Sequence, residues 1–219
     1  MKHVILLLML LPALRGWAQI PNSDFEYWDA QPVLLDWETN SNPLTKPAWD
    51  PYIVKQDTDR YSGNYSANFY ANGLFKAFAR TTFAVPFHPK KLSAQIKYNF
   101  APCVNDSGYI QQDTISILVE VLHQGQTVDS GYWQYSSPGF LPNFTPLQVP
   151  ITQQALLYDS CRITIYGGKV YGGCGFAPAA TEFKVDHLQL FYGSGCIDTS
   201  VVNIGILCPA FYDPVCGCD

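Results

Sequence analysis

Along this chain, short apolar runs alternate with clusters of Gly, Pro, Asn, Asp and Ser, and most runs have the length and two-residue period of β-strands. Ile115, Ile117, Val119 and Val121 fall on one face of a single run, the signature of a half-buried strand. Similar runs predict strands at 65–70, 75–85, 92–100, 114–122, 128–135, 162–166 and 182–192, with a short one near 147–149. His123-Gln-Gly-Gln-Thr127 reads as a hairpin turn between two of them. Val185, Leu188 and Leu190 break strict alternation, so the last strand carries a bulge or is buried on both faces. No segment sustains a 3.6-residue period, and 151–157 is at best one or two helical turns. Many short strands with Gly- and Pro-rich turns predict an all-β fold, a jelly-roll β-sandwich.

Composition points the same way. Aromatic residues make up 15% of the chain and charged residues only 14%, with 16 Gly and 16 Pro, which favours pleated surfaces and interrupts helices. The formal charge of −5, with no basic stripe, argues against nucleic acid as a partner. Met1-Lys-His followed by the apolar run Val4–Leu14 and by Gly16-Trp17-Ala18 has the layout of a signal peptide over residues 1–18. No other segment approaches the ~20 apolar residues of a membrane span. The reading is therefore an exported protein, with a sandwich at 19–193, and Gly193-Ser-Gly195 leading into a cysteine-rich tail at 194–219.

Seven cysteines in an exported chain imply disulfides, and an odd number leaves at least one thiol free, intermolecular or without its partner. Following strand direction, loops 101–113 and 167–180 share one end of the sandwich while Cys161 starts at the other. Cys103 and Cys174 can then meet, whereas Cys103 and Cys161 cannot, because bridged Cα atoms lie within about 7 Å. A Cys103–Cys174 bridge would close a loop of about 70 residues and contribute on the order of 4 kcal/mol in the chain-entropy account.

Two resemblances add to this reading. Asn22-Ser-Asp-Phe-Glu-Tyr-Trp28, Leu35-Asp-Trp37, Tyr61-Ser-Gly-Asn-Tyr-Ser-Ala67 and Phe183-Lys-Val-Asp-His-Leu-Gln-Leu190 occur in the order found in galactose-binding-like jelly rolls. These include carbohydrate-binding modules of secreted bacterial surface proteins, and the resemblance spans about 20–192. His187 departs from the Asp or Asn usual there, and 167–180 is a long insertion. The resemblance implies that Glu26 and Asp186 lie side by side and, with backbone carbonyls near the Gly63 turn, hold a structural Ca²⁺, a hard cation that takes six to eight oxygens. The alternative is that Glu26 caps a turn and Asp186 pairs with Arg or Lys. Separately, Cys208-Pro-Ala-Phe-Tyr-Asp-Pro-Val-Cys-Gly-Cys-Asp219 resembles the start of a Kazal-type protease inhibitor, with Tyr212, Pro214, Cys216, Gly217 and Asp219 on the pattern and Cys218 off it. The family's further cysteines are not in the sequence. That resemblance implies an extracellular serine protease as partner, contacted by Pro209, Ala210 and Phe211, with the Ala210 methyl suited to an elastase-like pocket.

The remaining chemistry lies in the aromatic side chains. Trp133 and Tyr135 on one strand, with Tyr109 and Phe140 in nearby loops, form a candidate stacking platform for a sugar ring, with Gln134, Asn143 and Asp113 as neighbouring hydrogen-bonding groups. Core packing is the competing role for each ring. Tyr132 lies on the opposite face of that strand, so at least one of the two sets points inward. There is no His-Glu-x-x-His and no Gly-x-Ser-x-Gly, and nothing marks a catalytic carboxylate pair among the four glutamates. The expected function is a secreted, non-catalytic module that binds a glycan or cell-surface polysaccharide, with protease inhibition by a longer chain as the alternative.

Overall fold

The computed structural model describes residues 20–29, 33–40, 54–71, 77–99, 103–104, 110–111, 114–136, 139–167 and 181–192. The segments expected as signal peptide and Kazal-like tail, including Pro209, Ala210 and Phe211, lie outside the described residues, as do Tyr109 and Cys174. Twelve strands are described: β1 Glu38–Thr39, β2 Val54–Asp57, β3 Ser66–Ala71, β4 Ala77–Ala84, β5 Pro89–Asn99 and β6 Cys103–Val104. They continue with β7 Ile110–Gln111, β8 Thr114–His123, β9 Gln126–Ser136, β10 Phe140–Pro150, β11 Ser160–Gly167 and β12 Thr181–Tyr192. Cys103 is placed as a backbone position only, so the expected bridge lies outside what is described.

Two antiparallel five-stranded sheets face each other, in the orders β1-β4-β11-β8-β9 and β10-β5-β12-β3-β2, and form the expected jelly-roll sandwich. Among the described residues there is no helix, and 151–157 is irregular. The hairpin turn forms at Gln124-Gly125, both with positive φ (50° and 78°), between the paired His123 and Gln126. Two positive φ values make the type I′ geometry that matches strand twist, and glycine carries the second at little cost. The broken alternation in β12 is a register shift between Asp186 and Gln189.

Inward positions build one core. Ile115, Ile117, Val119 and Val121 of β8 are fully buried and meet Leu92, Ala94 and Ile96 of β5 and Phe183 and Val185 of β12 in one cluster. The Phe69 and Phe183 rings pack at 5.9 Å between centroids. Cys161 faces this interior as a buried free thiol, and burial, aided by the Glu120 charge, pushes it up to about 12. A thiol held that high carries almost no thiolate at pH 8. Cys161 should therefore stay unlabelled by iodoacetamide in the native protein and label fully in denaturant, as read by peptide mapping.

β10 is longer than its sequence pattern suggests, because Pro142, Pro146 and Pro150 interrupt the reading. Prolines are tolerated where no neighbouring strand needs their missing N–H, and β10 is an edge strand. Its register slips against β5 between Leu141 and Thr145, so 142–144 bulge out of the ladder.

Candidate functional site

The residues carrying the jelly-roll resemblance converge on one corner of the sandwich. Asn22 ties the opening loop, its Nδ2 donating to Tyr27 O and Leu35 O and its Oδ1 accepting from Tyr27 N. Phe25 is fully buried against Trp37, ring centroids 5.4 Å apart, and Trp37 Nε1 donates to Pro21 O. Glu26 reaches the 61–65 turn, where Oε1 accepts from Asn64 N at 2.6 Å and Tyr65 N at 3.0 Å, and Oε2 from Asn64 Nδ2. Asp186, fully buried, grips the same turn through Oδ2, which accepts from Tyr61 N at 2.8 Å and Ser62 N at 3.0 Å, while Oδ1 accepts from His187 N.

The electrostatics of the two carboxyls differ. Burial raises Glu26, but the amide bonds from Tyr65 and Asn64 and the Arg60 charge outweigh it and leave the group below its ordinary value. For Asp186 burial wins against the bonds from Ser62, Tyr61 and His187, and the carboxyl sits above its ordinary value.

Of the expected platform, Trp133 and Tyr135 point inward instead. They lie opposite Ile117 and Ile115 of β8 and pack, half-buried, against the core. The strand's alternation therefore turns Tyr132 outward, 57% exposed, on the face it shares with Arg80, Tyr166 and Phe78. Tyr135 stacks on Tyr98 of β5 with centroids 4.9 Å apart, and burial with that contact pushes the Tyr98 hydroxyl up to about 12.

Phe140 lies elsewhere. At the start of β10, 67% exposed, it rims a cavity of about 220 Å³ on the outer face of the β10-β5-β12-β3-β2 sheet, lined also by Asp59, Lys97, Asn99, Glu182 and Lys184. Register explains the gathering, since Glu182 pairs with Asn99 and Lys184 with Lys97, so alternate outward positions of neighbouring strands form rows. Lys184 Nζ lies 3.0 Å from Asp57 Oδ2 and 2.8 Å from Asp59 Oδ2, and Lys97 Nζ lies 2.7 Å from Asp59 Oδ2. Burial raises Asp57 and Asp59, but their hydrogen bonds and the lysine charges outweigh it and lower both. The same bonds raise Lys184 against its burial. Asp57, Asp59 and Lys184 therefore hold their charges at neutral pH.

Beyond Asp59 the chain carries Tyr61 to the middle of a row of rings. Its centroid lies 6.4 Å from Phe144, which the β10 bulge lifts out of the ladder, and 5.8 Å from His187. His187 has φ 51°, an unusual backbone state for a side-chain-bearing residue, and its Nδ1 lies 3.0 Å from Asp24 Oδ1. Asp24 in turn lines a second, polar cavity of about 340 Å³ with Asn22, Glu26 and Tyr27. Neighbouring contacts thus run from Phe144 through Tyr61 and His187 to Asp24 and its cavity. Lys97 and Lys184 were open to prediction, since strand alternation places both outward. Tyr61, Phe144 and His187 were not, because a bulge in β10 and a register shift in β12 bring them together.

No protein-family profile matches the sequence, and no curated protein matches it. Solved structures do share the fold. One, from Bacteroides thetaiotaomicron and provisionally assigned as a glycoside hydrolase, is 11% identical with a TM-score of 0.53 over 78% of this chain and 71% of its own. Another provisional glycoside hydrolase, from Bacteroides vulgatus, is 12% identical with a TM-score of 0.50 over 72% of this chain and 85% of its own. At these identities the similarity is one of fold.

Proposed function

We propose that the protein is an exported, non-catalytic carbohydrate-binding module whose glycan lies along the outer face of the β10-β5-β12-β3-β2 sheet. The observation that carries this reading is the exposed Phe140 ring beside a pocket of fixed carboxylates, ammonium groups and the Asn99 amide. A pyranose offers an apolar C–H face and an equatorial ring of hydroxyls, and these want an aromatic ring and planar or charged hydrogen-bonding groups side by side. The pocket is smaller than the ~300–1,000 Å³ of enclosed small-molecule sites. It suits one sugar unit, with Tyr61 and Phe144 supporting the next units of a chain. The signal-like segment at 1–18 supports export. Two Bacteroides structures of the same fold, both provisionally assigned as glycoside hydrolases, agree with a carbohydrate partner.

A pull-down against a panel of insoluble and soluble polysaccharides tests the reading. At least one polysaccharide should retain the folded protein, and Phe140→Ala should weaken retention about tenfold, equivalent to ~1.4 kcal/mol, with the melting temperature unchanged. Retention that Phe140→Ala leaves intact would remove this pocket from the account. Turnover of a retained polysaccharide that disappears when one carboxylate is removed would make the protein an enzyme.

A further inference from the structure

The jelly rolls that this chain resembles hold Ca²⁺ between the residues matched by Glu26 and Asp186, and the donor set around these two carboxylates is of the opposite kind. Six N–H bonds end on their four oxygens, from Asn64 N, Asn64 Nδ2 and Tyr65 N to Glu26, and from Tyr61 N, Ser62 N and His187 N to Asp186. A cation needs oxygens aimed at it, whereas here the 61–65 turn aims the positive ends of four backbone N–H groups at the carboxylate oxygens themselves. Arg60 adds to this. Its Nε donates to Gly63 O at 2.6 Å and its Nη1 to Thr58 O, which fixes a guanidinium on the turn and occupies a carbonyl that a metal would use. Gly63 completes the fit, with φ +62° and no side chain. A Cβ there would lie 2.0 Å from Glu26 Oε1, so the carboxylate rests directly on the glycine backbone.

We infer that this corner is a metal-free clamp, in which the amide groups of the 61–65 turn and Arg60 supply the positive charge that Ca²⁺ supplies in the resembling modules. Two carboxylates from the opening loop and the last strand hold one turn, and that turn carries Tyr61 into the row of rings. The clamp stands independently of the carbohydrate reading. If both hold, glycan binding needs no divalent ion.

The test is calorimetric, on the full chain. The melting temperature should agree within about 1 °C in EGTA and in millimolar CaCl₂, where a saturated specific site would raise it by roughly 5 °C or more. Titration with CaCl₂ should give no saturable heat. Glu26→Gln should lower the melting temperature by several degrees, equally in EGTA and in CaCl₂, because an amide nitrogen would confront N–H donors. A rise of several degrees in CaCl₂ reversed by EGTA, saturable Ca²⁺ binding, or a Glu26→Gln variant as stable as the parent would each overturn the inference. None of these results bears on whether Phe140 binds a sugar, so the two proposals fail separately.

Discussion

Asp129→Ala is expected to destabilise the protein by about 3–5 kcal/mol, the cost of breaking a buried charged network by removing one partner. Asp129 lies on β9, 5% exposed, where both of its oxygens are engaged. Oδ1 accepts from Thr152 Oγ1 at 2.9 Å, and Oδ2 accepts from Gln154 N at 3.0 Å and Ala155 N at 2.8 Å. His88 Nε2, on the segment entering β5, lies 2.9 Å from Oδ2. One carboxylate therefore joins the edge strand of one sheet to the segments that follow β10 and precede β5 in the other. Alanine would leave two amide groups and an imidazole without the acceptor they share. For a chain of this size the loss corresponds to roughly a 10 °C fall in melting temperature. The pH dependence has a definite sign. Burial raises the Asp129 carboxyl, but the bonds from Ala155, Thr152, His88 and Gln154 outweigh it and hold the group below 3.8. Its contribution is then fully present above pH 3.8 and is lost as pH falls through the native value. Denaturant melts between pH 2 and 6 should show an acid limb in the parent that is shallower in Asp129→Ala. Equal slopes would assign the acid limb to other carboxylates.

Gly63→Ala is expected to be nearly as damaging, for a different reason. The positive φ costs an alanine ~1–2 kcal/mol. The added methyl, 2.0 Å from Glu26 Oε1, also expels a carboxylate that accepts two backbone N–H bonds, and charge-assisted bonds are worth roughly 1.5–3 kcal/mol each. The opening loop would lose its hold on the 61–65 turn while the core remained intact. Because the expelled carboxylate regains water, chemical denaturation should show a net loss of about 2–4 kcal/mol in unfolding free energy, and hydrogen exchange should rise selectively at Tyr61, Ser62, Asn64 and Tyr65. A variant within about 0.5 kcal/mol of the parent would mean that the clamp does little for stability.

The fold was legible because its strands obey simple alternation. All seven long runs form strands within a few residues of their expected limits, and β8 and β9 pair through the predicted hairpin. β1 and β2 escaped because strands of two and four residues carry too little pattern, and β10 was foreseen only near 147–149 because its prolines mimic a loop. The sequence motifs that resemble jelly rolls also proved to do structural work. Asn22, Phe25, Trp37 and Gly63 close a corner, and none of them is a free ligand-facing group. A strongly patterned segment is what a recurrent backbone problem produces, whereas a ligand face is built from single outward residues on unrelated strands. Trp133 and Tyr135 illustrate the difference. Both rings are large, but strand parity places them between the sheets, and parity alone could not say which face of β9 was inward. Phe140 was reachable as an aromatic near a strand start. Alternation turns its partners Lys97 and Lys184 outward, but that the two lie side by side required the β5–β12 register, which no local pattern encodes.

The glycan is proposed to lie on the β10-β5-β12-β3-β2 face. That position is tested most directly by a crystal structure of the protein with an oligosaccharide cut from whichever polysaccharide retains it. A sugar ring is expected against Phe140, with hydroxyls hydrogen-bonded to Asn99, Glu182 or Lys97, and the chain continuing toward Tyr61. A sugar lying instead on the opposite sheet, between Tyr132 and Tyr166, would contradict it, as would a folded protein that no polysaccharide retains.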